Sequence, residues 1–194
     1  MSHFAFRIPQ SALLRGGPRP GRLTADVLRR ARRVKLLVLD VDGVLTDGRI
    51  VYTAAGDECM AFHILDGHGI KLALRAGLKV AIITGRESPM VARRARDLGV
   101  TELFQRVEAK RAVHDALLAR HALRAEETAC MGDDLLDLPL LRAAGLPLAV
   151  PNGAPEVRAT ARYVTRRPGG GGAVREAIEL ILKAQGRWDA VFTE

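Results

Sequence analysis

Aromatic side chains are scarce, at 4% of 194 residues with a single Trp. That scarcity weakens a nucleic-acid reading of the net charge of +8, as does the dispersal of the arginines along the chain. Cysteine is nearly absent. Cys59 and Cys130 lie far apart in sequence, which argues against a disulfide scaffold and points to a reducing cytoplasm. No His/Cys cluster offers a zinc site. No run approaches the ~18 apolar residues that cross a bilayer, and the N-terminus carries no apolar leader stretch. No membrane and no nucleic acid are therefore expected as partners. What remains is a chain that is 48% hydrophobic and 27% charged, long enough for one domain with a substantial core. Its basic balance suits an anionic small molecule.

The chain is organised around Lys35–Gly48 (KLLVLDVDGVLTDG). A near-continuous apolar run that ends in acids and Gly reads as a strand buried on both faces, inside a parallel sheet. Such sheets place their chemistry beyond the carboxyl ends of the strands. Asp40 and Asp42 stand at that end with one residue between them, so an extended chain would point both side chains the same way. Two acids aimed together without a basic partner call for a cation or a shared proton. A solvated turn is the plainer alternative, since Asp and Gly are common there.

Residues 1–21 are rich in Arg, Gly and Pro without a sustained period and read as a loosely docked arm. Thr24 can cap a short helix over 25–33 with Leu28 and Ala31 as a thin apolar stripe. Two β-rich segments around Ala54-Ala55-Gly56-Asp57 predict a hairpin over 49–65. Asp66-Gly67-His68-Gly69 is expected to open a helix over 70–75, closed by Gly77. A second buried strand runs over 78–83 into Thr84-Gly85-Arg86. Ser88-Pro89 starts a helix that stops at Gly99. Leu103-Phe104 marks a short strand, and 110–121 reads as a helix with Ala112, Val113, Ala116 and Leu117 on one side. Strands at 128–131, 147–150 and 163–165 alternate with a helix over 138–144. Pro168-Gly169-Gly170-Gly171-Gly172 then precedes an amphipathic helix over 173–184. Strands alternating with helices predict an α/β fold, a doubly wound parallel sheet with right-handed crossovers. The glycines at 169–172 serve either as a linker or as a close approach to a ligand.

The strand ends carry Asp40 and Asp42, then Thr84, then Lys110, then Asp133, Asp134 and Asp137. A parallel sheet brings them together. The set contains what phosphoryl transfer to a carboxylate needs: a nucleophilic acid, a second acid for proton traffic, a hydroxyl and an ammonium for phosphate oxygens, and further carboxylate for a hard cation. Asp40-Val-Asp42-Gly-Val-Leu-Thr, Ile83-Thr84-Gly-Arg86, Lys110 and Gly132-Asp133-Asp134-x-x-Asp137 resemble the four motifs of the haloacid dehalogenase-like phosphatases. Phe62-x-x-x-Asp66-Gly-x-Gly69, Tyr163-Val-Thr and the tail Gly-Gly-x-Gly-Ala-Val-Arg-Glu176 resemble, more narrowly, the 3-deoxy-D-manno-octulosonate 8-phosphate phosphatases, a capless subfamily.

The resemblance, from about Val34 to Trp188, implies a Rossmann-like phosphatase domain over 34–188 with a hairpin insertion over 49–65 and no cap domain. An arm over 1–33 and a tail over 189–194 flank it. It implies an Mg²⁺-dependent hydrolysis of a sugar-acid phosphate, with Asp40 as nucleophile and Asp42 as general acid and base. The metal would be held by Asp40, the carbonyl of Asp42, and Asp133, with Asp134 and Asp137 orienting these ligands. Thr84, Gly85 and Lys110 would bind the phosphoryl group. His63, Ile64, Leu65, Asp66, Gly67, Lys71, Arg86 and Arg94 would contact substrate; Leu65 stands where some members carry Arg. Without a cap, the site is expected to be covered by a neighbour in a homotetramer with shared active sites. There the hairpins pack together and the 169–172 tail reaches the adjacent site. A related nonulosonate 9-phosphate is the rival substrate. A receiver-like phospho-aspartate switch is the rival class, and Asp42 argues against it because a second acid hastens hydrolysis of the intermediate. An Arg-rich arm that binds nucleic acid is the third alternative; it would weaken steeply with salt.

Overall fold

A computed structural model describes residues 18–192. Most of the expected N-terminal arm, and the last two residues of the tail, lie outside that range. Six parallel strands form the sheet: β1 (Leu36–Leu39), β4 (Lys79–Ile83), β5 (Glu102–Phe104), β6 (Thr128–Gly132), β7 (Leu146–Ala149) and β8 (Tyr163–Val164). A separate two-stranded hairpin holds β2 (Val51–Tyr52) and β3 (Glu58–Cys59). The spatial order β5-β4-β1-β6-β7-β8 puts the first strand in the middle, so β1 pairs on both sides, Leu39 with Ile82 and with Met131. All four β1 side chains are buried, which is why the strand reads as an unbroken apolar run rather than an alternation.

Helices cover both faces. On one side α1 (Ala25–Ala31), α2 (Ile64–Arg75), α3 (Pro89–Leu98) and α7 (Ala173–Ala184) share a core with Leu37, Leu39, Ile82 and Met131. On the other, α4 (Lys110–His121), α5 (Leu138–Ala143) and α6 (Pro155–Thr160) cover Leu36, Val38, Ala81 and Ile83. Local chemistry fixes several ends. Thr24 and Ser88 accept from backbone amides as caps of α1 and α3, and Gly99 closes α3 in the left-handed region. Among the described residues no helix is long and apolar enough to cross a membrane.

Three expectations change. Helix α2 begins at Ile64, capped by the His63 ring, not after Gly69. Its glycines are packing sites rather than a turn: a Cβ at Gly67 would overlap Arg94, and one at Gly69 would crowd Arg175 on α7. Helix α4 turns Lys110, His114 and Leu117 inward and leaves Ala112 and Ala116 exposed, because Lys110 is drawn to carboxylates under the sheet's edge. Helix α6, which starts at Pro155, escaped the sequence reading altogether.

The C-terminal segment is core. Helix α7 buries Ala173, Val174, Ala177, Ile178, Leu180, Ile181 and Leu182. At ~1.5–3 kcal/mol per large buried side chain, their loss rivals the ~5–15 kcal/mol that holds a domain folded. A chain ending at Thr165 would therefore fail to fold, not merely lose turnover. Between β1 and β4 lie only the hairpin and α2, and between β4 and α4 only α3 and β5. Neither gap holds a cap domain.

Candidate active site

Asp40 follows β1 directly, and its amide still pairs with Met131 at 3.1 Å. Beyond it the chain does not stay extended. The amides of Val44, Leu45 and Thr46 converge on the Val41 carbonyl at 3.2, 2.9 and 3.0 Å, while Thr46 Oγ1 accepts from the amides of Gly43 and Gly48. This knot separates the two acids. Asp40 is 8% exposed and faces Lys110, whose Nζ lies 2.9 Å from its Oδ1. Asp42 is half-buried and its Oδ1 accepts from Arg86 Nη1 at 3.3 Å. Both acids have a basic partner, so the expectation of an unpartnered pair is corrected.

Lys110 opens α4 beneath this site. Its ammonium also donates to Asp137 Oδ1 at 2.6 Å, and Asp137 Oδ2 accepts from the amides of Asp133 and Asp134 at 3.0 and 3.2 Å. Gly132 permits the approach, since a Cβ there would collide with the Asp137 carboxylate. Asp137 is thus saturated with donors and acts as a buried brace. Asp134 faces solvent and caps its own turn through Leu135; its backbone amide donates into the site, and its carboxylate acts there only through charge. Gly43, at φ 79°, lets the Asp133 carboxylate lie against the loop where a Cβ would intrude.

Burial, reinforced by the Asp137 carboxylate and opposed by Lys110, pushes Asp40 up to about 7. Burial also pushes Asp133 up to about 7, with Asp137 and then Asp134 adding to it. Lys110 stays protonated: burial pulls it down, but Asp40 and Asp137 raise it above the usual lysine value. Carboxylate oxygens of Asp40, Asp133 and Asp137 come within 4.8 Å of one another. Three hard oxygens at this spacing, with Asp133 in no ion pair among the described residues, fit a divalent cation such as Mg²⁺. Because Asp137 already accepts from Lys110 and two backbone amides, Asp40 and Asp133 are the side chains better placed to hold it.

Thr84 ends β4 and is buried at 2% exposure. Its amide and carbonyl are tied to Phe104 and Val107, and its hydroxyl accepts from the Arg86 amide at 3.3 Å. Gly85 next to it is exposed. The other substrate candidates divide. His63 caps α2 and is half-buried, while Ile64 and Leu65 form its exposed start, with Ile64 at 75%. Arg94 lies over the Phe62 ring and donates to the His63 carbonyl at 3.5 Å. Asp66 is a correction: it is 1% exposed, and its carboxylate accepts from the amides of Gly172 and Arg175 at 3.1 and 2.7 Å. It caps α7 and is closed to substrate. Gly67 is buried beneath Arg94. Lys71 lies two turns beyond His63, about 12 Å along the axis, on the exposed face of α2.

Two features of the site were not foreseen. Gly169 and Gly170 dock on the loop of their own chain: the Gly170 amide donates to Val44 O at 2.9 Å, and a Cβ at Gly169 would overlap the Gly43 carbonyl. These glycines therefore pack against the catalytic loop of their own chain. Glu58, on β3, contacts Arg86 Nη2 at 2.6 Å. The alternation Glu58, Met60, Phe62 was the available signal, since all three turn inward while Cys59 and Ala61 are exposed.

A family model for haloacid dehalogenase-like hydrolases matches residues 99–178. The 3-deoxy-D-manno-octulosonate 8-phosphate phosphatase KdsC of Escherichia coli K12 is 45% identical over 169 residues, which cover 87% of this chain and 90% of that protein. Among solved structures, the Moraxella catarrhalis phosphatase of the same name, in complex with magnesium, phosphate and a KDO molecule, aligns with TM-score 0.84. It is 42% identical over 87% of this chain and 97% of that one. The cobalt-bound Haemophilus influenzae phosphatase aligns with TM-score 0.80 at 38% identity, over 84% and 96% of the two chains. Identity at this level over nearly the whole of each relative, together with a buried Asp–Lys–Asp centre at the end of the middle strand, places the chain in the 3-deoxy-D-manno-octulosonate 8-phosphate phosphatase family of haloacid dehalogenase-like hydrolases.

Proposed function

We propose that this protein is a cytoplasmic Mg²⁺-dependent phosphatase that hydrolyses 3-deoxy-D-manno-octulosonate 8-phosphate to the sugar acid and phosphate, for lipopolysaccharide precursor synthesis. The observation that carries it is Asp40, buried at the end of β1 with the Lys110 ammonium 2.9 Å away and a second acid two residues on. Asp40 attacks phosphorus, and the bond to the sugar oxygen breaks. Asp42 protonates that oxygen, then takes a proton from the water that cleaves the aspartyl-phosphate, so Asp40 is regenerated. Thr84, the Gly85 backbone and Lys110 bind the phosphoryl oxygens, and Lys110 also offsets repulsion between Asp40 and the incoming dianion. Asp40, Asp133 and the Asp42 carbonyl would hold Mg²⁺, which would supply further positive charge at the phosphoryl oxygens. His63, Leu65, Arg86 and Arg94 contribute to sugar recognition.

The test is a panel of sugar-acid phosphates, including a nonulosonate 9-phosphate, assayed with Mg²⁺ and after exhaustive chelation. The 8-phosphate is expected to give the highest kcat/KM, and EDTA to abolish turnover until Mg²⁺ is restored. The sign of the pH dependence follows from the raised carboxyl groups. Below about 7 a proton competes with the cation at Asp40 and Asp133, so the Mg²⁺ concentration for half-maximal activity should rise as pH falls from 8 to 6. Each displaced proton contributes at most roughly tenfold per pH unit, and that limit is approached only below about 7. A constant requirement across that range would contradict a carboxylate site.

A homotetramer covers the open site in this proposal. Its support is the outer face of the hairpin, where Ile50, Val51 and Tyr52 are 48, 52 and 67% exposed, beside the exposed Ile64 and Leu65. An apolar strand pair left this open is an association surface. Light scattering should give a closed assembly whose mass does not climb with concentration, and Tyr52→Asp should dissociate it. A fully active monomer would remove the shared-site part of the proposal.

A further inference from the structure

The hairpin is pinned to the loop that follows β4 at two points. Ser88 Oγ lies 3.3 Å from Met60 Sδ, and Glu58 Oε1 accepts from Arg86 Nη2 at 2.6 Å. The second point matters for chemistry, because the other terminal nitrogen of the same guanidinium reaches Asp42 Oδ1 at 3.3 Å. One planar, two-pronged cation thus spans two carboxylates from different parts of the chain, a geometry that Arg supports and Lys does not. Among the described residues, Arg86 is the side-chain donor that reaches Asp42. The Glu58 contact is the shorter of the two, and Glu58 is the least exposed of the three side chains, at 23% against 28% for Asp42 and 36% for Arg86. Arg86 is therefore anchored from the hairpin side, and its other prong is aimed from there.

We propose that Glu58 is a positioning residue for the proton-transfer step: it fixes Arg86 so that the guanidinium holds the Asp42 carboxylate in place to protonate the leaving oxygen. This rests on the reading of Asp42 as general acid. Nothing in the family motifs quoted above assigns Glu58 a role, and its own carboxylate touches Arg86 rather than the reacting atoms.

Leaving groups separate this role from a merely structural one. An alkyl phosphate needs its leaving oxygen protonated; p-nitrophenyl phosphate does not. The measured quantity is kcat/KM, which reports through phosphoryl transfer and not through the later hydrolysis. On a simple alkyl phosphate that carries no sugar or carboxylate for Arg86 to recognise, Glu58→Gln is expected to lose about tenfold, while on p-nitrophenyl phosphate it loses less than about twofold. Glu58→Asp keeps the charge but retracts it by one methylene, and should fall between the two. In an Arg86→Lys background, Glu58→Gln should cost nothing further, because a single ammonium cannot span both carboxylates. Equal losses on both substrates, no loss on either, or additive losses in the double variant would overturn the proposal. Asp42→Asn in the same assay tells the two ideas apart. If it discriminates between leaving groups and Glu58→Gln does not, the positioning role fails while the mechanism stands; if Asp42→Asn does not discriminate, the general-acid reading itself fails. Should Glu58→Gln not fold, Glu58→Asp and Arg86→Lys carry the comparison.

Discussion

Asp40→Asn is expected to lower kcat by about 10⁴-fold or more and to abolish trapping of a phosphorylated chain, because an amide cannot attack phosphorus and contributes no charge to a cation. Asp42→Asn should slow the reaction by ~10²–10⁴-fold with the Mg²⁺ requirement nearly unchanged. The stability of Asp40→Asn should move the opposite way from its activity. The fold raises Asp40 to about 7 through burial first, then Asp137, so it disfavours the ionised form. That cost is absent below about 4, where the group is protonated in the folded and unfolded chains alike. It grows as pH rises and is complete above about 7. The metal-free variant should therefore melt no lower than the wild type at pH 8, and any gain should vanish by pH 4. Substantial turnover by Asp40→Asn would end the covalent mechanism; a melting temperature well below wild type at pH 8 would show that Asp40 stabilises the fold rather than straining it.

Lys110→Met carries the second large effect, and here activity and stability fall together. Lys110 is 5% exposed and lies against both Asp40 and Asp137. Removing one partner of a buried ionic cluster costs on the order of 3–5 kcal/mol, because two carboxylates are left with a backbone cap on one and little on the other. The sign with pH is again determined. Without the ammonium, the folded-state affinity of Asp40 for protons rises further above that of the unfolded chain, so the penalty is full at high pH and recedes as pH falls and that carboxyl protonates. The gap in melting temperature between wild type and variant should be wider at pH 8 than at pH 5. Turnover should fall by about 10²–10³-fold, since a buried cation facing developing charge is lost. A gap that is the same at both pH values would show that Lys110 acts through packing alone.

How much of this was legible in the sequence depends on how local the cause is. Helices α4 and α7 lie where the sequence placed them, and Ser88 and Gly99 bound α3 as read, because caps and apolar periodicity are local. The middle strand was readable because burial on both faces leaves no polar positions in Leu36–Leu39. The start of α2 was misplaced because Asp66-Gly67-His68-Gly69 has the composition of a turn, while its glycines answer to Arg94 and Arg175, which are distant in sequence. The inward face of α4 was misjudged for a similar reason. A Lys at a helix start is ordinarily solvated, and only the carboxylates of Asp40 and Asp137 draw it inside. The four acidic, hydroxyl and ammonium motifs were visible as a set. The Glu58–Arg86–Asp42 bridge was not, since its members stand 28 and 44 positions apart and none is unusual alone.

The docking of Gly169 and Gly170 on the loop behind Asp40 has a consequence for the order in which the protein comes into being. The loop is synthesised well before the backbone that braces it, and Asp66 is made 106 residues before the Gly172 amide that it accepts from. A nascent chain can therefore assemble most of its sheet while its nucleophile is still unbraced. Catalytic competence should switch on only once Gly170 and helix α7 have been released to dock.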